Sequence, residues 1–226
     1  MTKVRGSFFL GVMVLALLFA VSCTENSYET GDGGYSYLRA DLADVSCGEK
    51  GRLRYALTDD NDSLVFQPVY ECSWMTKADT TYRALLYYSR KEVEVDLPSV
   101  SCISAQQVLV LRPLTEVKTK ATDPLSWESA WIGSNGNYLN LGLYLKTGKA
   151  DEEDKRQSLG VVCDSIVERG GEHEYFLRLL HSQNGVPENY STRIFASIPL
   201  EYFQTGDVVT LRVNTYDGEV VRSFIR

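Results

Sequence analysis

Residues 138–146 read Tyr-Leu-Asn-Leu-Gly-Leu-Tyr-Leu-Lys. Every second side chain is a leucine, so Leu139, Leu141, Leu143 and Leu145 share one face of an extended chain. Tyr138, Asn140, Gly142, Tyr144 and Lys146 share the other. Successive side chains of a strand point to opposite faces, and this period of two is that of a strand burying one face. A helical stripe would mix spacings of three and four, and only even spacings occur here.

The pattern repeats toward the C-terminus. Residues 147–157 (TGKADEEDKRQ) form a charged loop whose acids face solvent. Leu159–Val167 and Glu174–His181 read as strands, and Gly185–Asn189 as a turn. Thr192–Leu200 puts Ile194, Ala196, Ile198 and Leu200 on one side. Val208–Val213 and Glu219–Ile225 close the set around Tyr216-Asp217-Gly218, and Asp-Gly between strands is a tight-hairpin signal. Six strands at this spacing predict a two-sheet antiparallel β-sandwich over residues 117–226.

Upstream, residues 114–126 (LTEVKTKATDPLS) are polar and carry Pro124, and the domain boundary is expected there. Before it lie further short strands: Tyr35–Val45, Arg52–Leu57, Leu64–Phe66, Thr80–Tyr88, the alternating Glu92–Leu97, and Gln107–Arg112 ending at Pro113. Their number and length, without a helical period, predict a small barrel over residues 35–116. The run Asp59-Asp60-Asn61-Asp62 invites a calcium reading, but Leu64 stands where an EF-hand needs a ligand or glycine. It reads instead as a solvated hairpin tip. The fold class is therefore all-β.

The N-terminus is of another kind. Lys3 and Arg5 precede an apolar run from Phe8 to Val21, then Ser22-Cys23. That is a secretory signal over residues 1–22. The apolar run measures roughly 21 Å as a helix at about 1.5 Å per residue, short of the roughly 20 residues that span a bilayer. Cys23 after Ala20-Val21-Ser22 resembles a bacterial lipobox, which makes Cys23 the expected lipidation site and the membrane a partner through a lipid anchor. Thr24, rather than Asp, follows it and favours the outer membrane. Residues 23–34, rich in Gly31, Gly33 and Gly34, form a flexible tether.

Composition excludes some functions. Without residues 1–22 the formal charge is −9, from 21 basic and 30 acidic side chains, since Lys3 and Arg5 leave with the signal. An acidic chain with no basic cluster is repelled by phosphate backbones, so no nucleic acid is expected as partner. The imidazoles are His173 and His181, and no Cys-x-x-Cys occurs, so neither a metal nor another cofactor is expected. Cys47, Cys72, Cys102 and Cys163 allow two disulfides or four buried thiols. A bridge, if present, falls among Cys47, Cys72 and Cys102, which lie in the same half.

Nucleophile, base and orienting acid do not assemble into a recognisable catalytic pattern, and no catalytic residue is assigned. Aromatic faces remain: Trp74, Trp127 and Trp131 with Tyr138 and Tyr144. Trp131, Tyr138 and Tyr144 are the candidate ligand-stacking residues, the two tyrosines on one face of one strand.

Three stretches carry a family resemblance. They are Trp131-Ile132 with Gly136-Asn137-Tyr138-Leu139-Asn140-Leu141, then Tyr175–His181 (YFLRLLH), then Ser197-Ile198-Pro199-Leu200. Together with the lipobox and tether they resemble the NigD-like lipoproteins of Bacteroides-type bacteria. The resemblance implies an N-terminal OB-like barrel and a C-terminal β-sandwich. It also implies a bacteriocin-immunity-like or accessory role. The expectation is a non-enzymatic binding or adaptor lipoprotein of the cell envelope, with an envelope or secreted protein as partner. The alternative is a carbohydrate-binding surface lipoprotein that takes glycans.

Overall fold

The computed structural model describes residues 38–90, 99–116, 121–149 and 155–226. The signal segment, Cys23, the tether and the expected strand Glu92–Leu97 lie outside the described residues. Among the described residues no helix is long and apolar enough to cross a membrane.

Five strands close a barrel in the order β1-β2-β3-β5-β4. They are β1 (Leu38–Glu49), β2 (Arg52–Thr58), β3 (Ser63–Glu71), β4 (Thr80–Ser89) and β5 (Ser99–Gln107). β1 is long enough to pair with β2 along one end and with β4 along most of its length. Bulges at Ser46 and Cys47 bend it around the barrel. Val45, Leu53, Phe66, Met75, Leu86 and Tyr88 fill the interior. Cys47 and Cys72 are buried there as well, packing as small hydrophobes. The Cys47 thiol donates to the Glu49 carbonyl at 2.7 Å. All four described cysteines are free thiols, so the bridge considered among Cys47, Cys72 and Cys102 is absent.

Two sheets follow. One has four strands in the order β6-β12-β9-β8, the other five in the order β14-β13-β11-β10-β7. Their strands are β6 (Leu109–Val110), β7 (Pro113–Leu114), β8 (Ser126–Ile132), β9 (Tyr138–Thr147) and β10 (Ser158–Arg169). The remainder are β11 (Glu172–Ser182), β12 (Tyr190–Pro199), β13 (Val208–Thr215) and β14 (Gly218–Ile225). The leucines of β9, with Ile198 of β12 beside them in the same sheet, face Leu177 and Leu211 across the sandwich core. β13 and β14 are joined through Tyr216-Asp217, and Gly218 takes φ 112°, the left-handed region that favours glycine.

Three details differ from the sequence expectation. The sandwich is not wholly antiparallel: β7 pairs parallel with β10, β6 with β12, and β13 with β11. The apolar run Gln107–Arg112 is not one strand. Gln107 ends β5 against Ala84, whereas Leu109 and Val110 pair with Ala196 and Ser197. Val108 turns into a small cluster with Leu42 and Leu85, which breaks the run. Hydrogen bonding thus passes from barrel to sandwich at Val108, ahead of the start at residue 117 expected from the polar stretch. Pro113 opens β7 instead of ending a strand, which its missing N–H allows because β7 is an edge.

Candidate functional site

Arg83 on β4 supplies the centre of the junction between barrel and sandwich. Its side chain is 1% exposed, and its guanidinium is satisfied on all sides. Nη2 donates to Asp59 Oδ2 at 2.6 Å and to Asn140 Oδ1 at 3.1 Å. Nε donates to Ser197 Oγ at 3.2 Å, and Nη1 reaches Asp44 Oδ1 at 3.4 Å. The Tyr138 ring lies beneath it, 4.1 Å from the guanidinium carbon. Asn140 Nδ2 returns to Asp59 Oδ2 at 2.7 Å, and Ser197 Oγ donates to Asn140 Oδ1 at 2.8 Å. A buried charge persists only when paired and hydrogen-bonded, and here the bonds come from both halves of the molecule. Burial raises Asp44 above the ordinary carboxylate value, against the pull of Arg83. Burial likewise pushes the Tyr138 phenol up to about 12.

The β2–β3 tip is therefore not a solvated loop. Asp59 is 7% exposed, and its backbone carbonyl accepts from Asn135 N at 2.8 Å. Ser134 Oγ donates to Asp60 Oδ1 at 2.8 Å. The tip docks on the β8–β9 turn, where Gly133 presses so closely that a Cβ there would stand 2.8 Å from Asp59 Oδ2.

Beside this network opens a cleft of about 350 Å³. Leu42, Leu85 and Tyr87 of the barrel form one wall, and Trp131 and Phe195 of the four-stranded sheet form the other. Asp41, Asp59 and Asp60 lie along it. A second hollow of about 230 Å³ continues past Leu85, Tyr87, Arg193 and Phe195 toward Gln107 and Leu109. Trp131 meets Phe195 edge to face at 6.3 Å, and Arg193 covers Phe195 at 4.6 Å. Arg193 Nε donates to Glu128 Oε2 at 2.9 Å, and Glu128 lies over the bare backbone of Gly142.

The three stacking candidates occupy one outer sheet face but three settings. Trp131 is 37% exposed and lines the cleft. Tyr138 is given over to Arg83. Tyr144 stands farther along, donating to Glu128 Oε1 at 3.3 Å. Trp74 belongs to the barrel, where its indole donates to Ala105 O at 3.0 Å, and Trp127 packs on the sandwich core. His181 is buried, with Nδ1 3.0 Å from Asp123 O, in a structural position. Sequence reasoning missed Arg83, Asp59, Tyr87, Arg193 and Phe195, whose convergence depends on long-range pairing and leaves no local spacing to detect.

A family model for the NigD-like C-terminal beta sandwich domain matches residues 108–225. A NigD-like immunity protein from Bacteroides caccae has a TM-score of 0.65 at 21% identity, covering 83% of this chain and 96% of that one. A protein of unknown function from Bacteroides vulgatus has a TM-score of 0.61 at 16% identity, covering 84% and 90%. A candidate lipoprotein from Bacteroides fragilis has a TM-score of 0.56 at 11% identity, covering 83% and 96%. At these identities the structural likeness carries the fold alone. No curated protein matches the sequence.

Proposed function

The chain belongs to the NigD-like family, and from that premise we propose a lipid-anchored, non-catalytic protein of the cell envelope that works by binding a protein partner. In this reading Cys23 carries the lipid and Thr24 directs the anchor to the outer membrane. The signal segment supports the anchor, and so does the Bacteroides fragilis neighbour, a candidate lipoprotein. An immunity-like or accessory role is consistent with the name of the Bacteroides caccae neighbour.

The observation that carries the binding reading is the junction cleft, with aromatic walls and a rim of charged side chains. Concave sites with a few convergent polar groups are where proteins commonly take ligands. The test is in-cell photocrosslinking from position 193 on the cleft, with position 166 on exposed β10 as control. One partner captured from 193 and absent from 166 is expected; equal capture at both would overturn the reading. Separately, Cys23→Ala is expected to abolish incorporation of labelled palmitate.

Trp131, Tyr87 and Phe195 beside carboxylates also favour a second reading, a glycan site. A glycan-array signal lost in Trp131→Ala would favour it.

A further inference from the structure

We propose that the junction cleft receives a cationic side chain, a lysine or arginine, presented by the protein partner. The proposal rests on the docking reading above and names the chemistry of the occupant. Three carboxylates line the cleft, and each has an oxygen to spare. Asp59 gives Oδ2 to Arg83 and Asn140, but its Oδ1 is buried with no hydrogen-bond partner. A buried carboxylate oxygen without a donor is a costly state that leaves the Asp59 charge incompletely answered, and exposed Asp60 beside it offers an oxygen that a donor from outside can reach. Asp41 Oδ2 accepts from Tyr88 Oη at 2.6 Å, and Asp60 Oδ1 from Ser134 Oγ at 2.8 Å. Among the described residues no donor is bonded to the other oxygen of either.

The only cation among the lining residues is Arg193, and Glu128 already holds it. With Arg83 answering Asp59, the carboxylates of Asp41 and Asp60 leave the cleft net negative in a net-acidic chain. A sugar hydroxyl can also donate to a carboxylate, but the excess negative charge selects a cation over a neutral donor. A metal ion fits less well, because among the described residues no three acids, histidines or cysteines cluster as metal ligands. Trp131, Tyr87 and Phe195 suit the aliphatic stem of a long basic side chain and the face-on approach of its charge.

The test uses the full chain in detergent micelles, with the Trp131 indole N–H followed by NMR. The probes are Nα-acetyl-arginine methylamide and its neutral isostere, Nα-acetyl-citrulline methylamide. The arginine probe is expected to shift Trp131 while Trp74 and Trp127 stay still, and the citrulline probe to leave all three unmoved. Asp60→Asn removes one rim charge without touching the core, and should weaken the arginine response about two- to fivefold, the scale of one exposed ion pair. Equal responses to both probes, or none to either, would overturn the proposal. So would a response to a cello-oligosaccharide alone, which would turn the site over to glycans. If crosslinking from position 193 still captures a partner while arginine leaves Trp131 unmoved, docking stands and the cationic occupant falls. If capture is lost too, both fall.

Discussion

At the scale of single residues, Arg83 has the most to lose. It bonds to side chains of four other segments, carried by Asp44, Asp59, Asn140 and Ser197. Arg83→Met strands Asp59 in a buried site, and breaking such a pair from one side costs about 3–5 kcal/mol. Urea unfolding measures this, and a loss below about 1 kcal/mol would mean a surface-like pair. Asp44 gives the network a pH signature. Burial raises its folded pKa above the ordinary aspartate value of 3.8, so the folded state binds this proton more tightly than the unfolded chain. Its contribution to stability must then grow as pH falls from neutral through the raised pKa, and is complete below 3.8. Stability of the wild type relative to Asp44→Asn should therefore increase from pH 7 toward pH 4 in parallel urea titrations. A constant difference would contradict the assignment. The barrel thiols make a separate case. Burial pushes Cys72 up to about 11 and Cys102 up to about 12, leaving almost no thiolate at neutral pH. Iodoacetamide should spare both in the native protein and modify both after unfolding, as peptide mapping would record.

At the scale of elements, two glycines make a contrast, Gly133 in the β8–β9 turn and Gly142 on β9. A Cβ at Gly133 would meet Asp59 Oδ2 at 2.8 Å and Asp59 Cβ at 2.9 Å, in a side chain already fixed by Arg83. Gly133→Ala must push the β2–β3 tip off the β8–β9 turn, and overpacking of this kind costs about 1–3 kcal/mol. A Cβ at Gly142 would meet Glu128 Oε2 at 2.5 Å, the end of a flexible side chain that can swing away. Gly142→Ala should leave the urea midpoint nearly unchanged; equal losses at the two sites would refute the contrast. The same elements show what was legible in the sequence. β9 could be read because Leu139, Leu141, Leu143 and Leu145 repeat the pleat in a single stretch. The β2–β3 tip could not, because four polar residues between strands normally mean water, and it takes Arg83, Asn135 and Asn140 from distant strands and turns to make Asp59 an interior residue. The cleft was half visible. Trp131 stood out as a tryptophan able to stack on a ligand, whereas Phe195, on the face opposite Ile194 and Ala196, and Leu85 gave no local sign that they would meet.

At the scale of the whole molecule, barrel and sandwich share the Arg83 network and the Leu42–Leu85–Val108 cluster. They are expected to unfold together, with tryptophan fluorescence and circular dichroism tracing one thermal transition. Two resolved transitions in the wild type would show that the junction is too weak to couple them, and Arg83→Met is the variant in which two should appear. The connection leaving the barrel has a further consequence, for the order of events. β6 adds to β12 in one sheet, and β7, a few residues later, adds to β10 in the other. Both strands are synthesised before their partners, with Leu109 waiting for Ala196. Parallel pairing over such separations closes a long loop before any contact repays it, which slows folding. A nascent chain halted before β12 would hold a complete barrel and an open sandwich, with β6 lacking its partner strand. Closure of the sandwich is then the last step of the chain's maturation, and pulsed hydrogen exchange should find the Leu111 amide, which donates to Ser197 O, protected after those of β1 and β4.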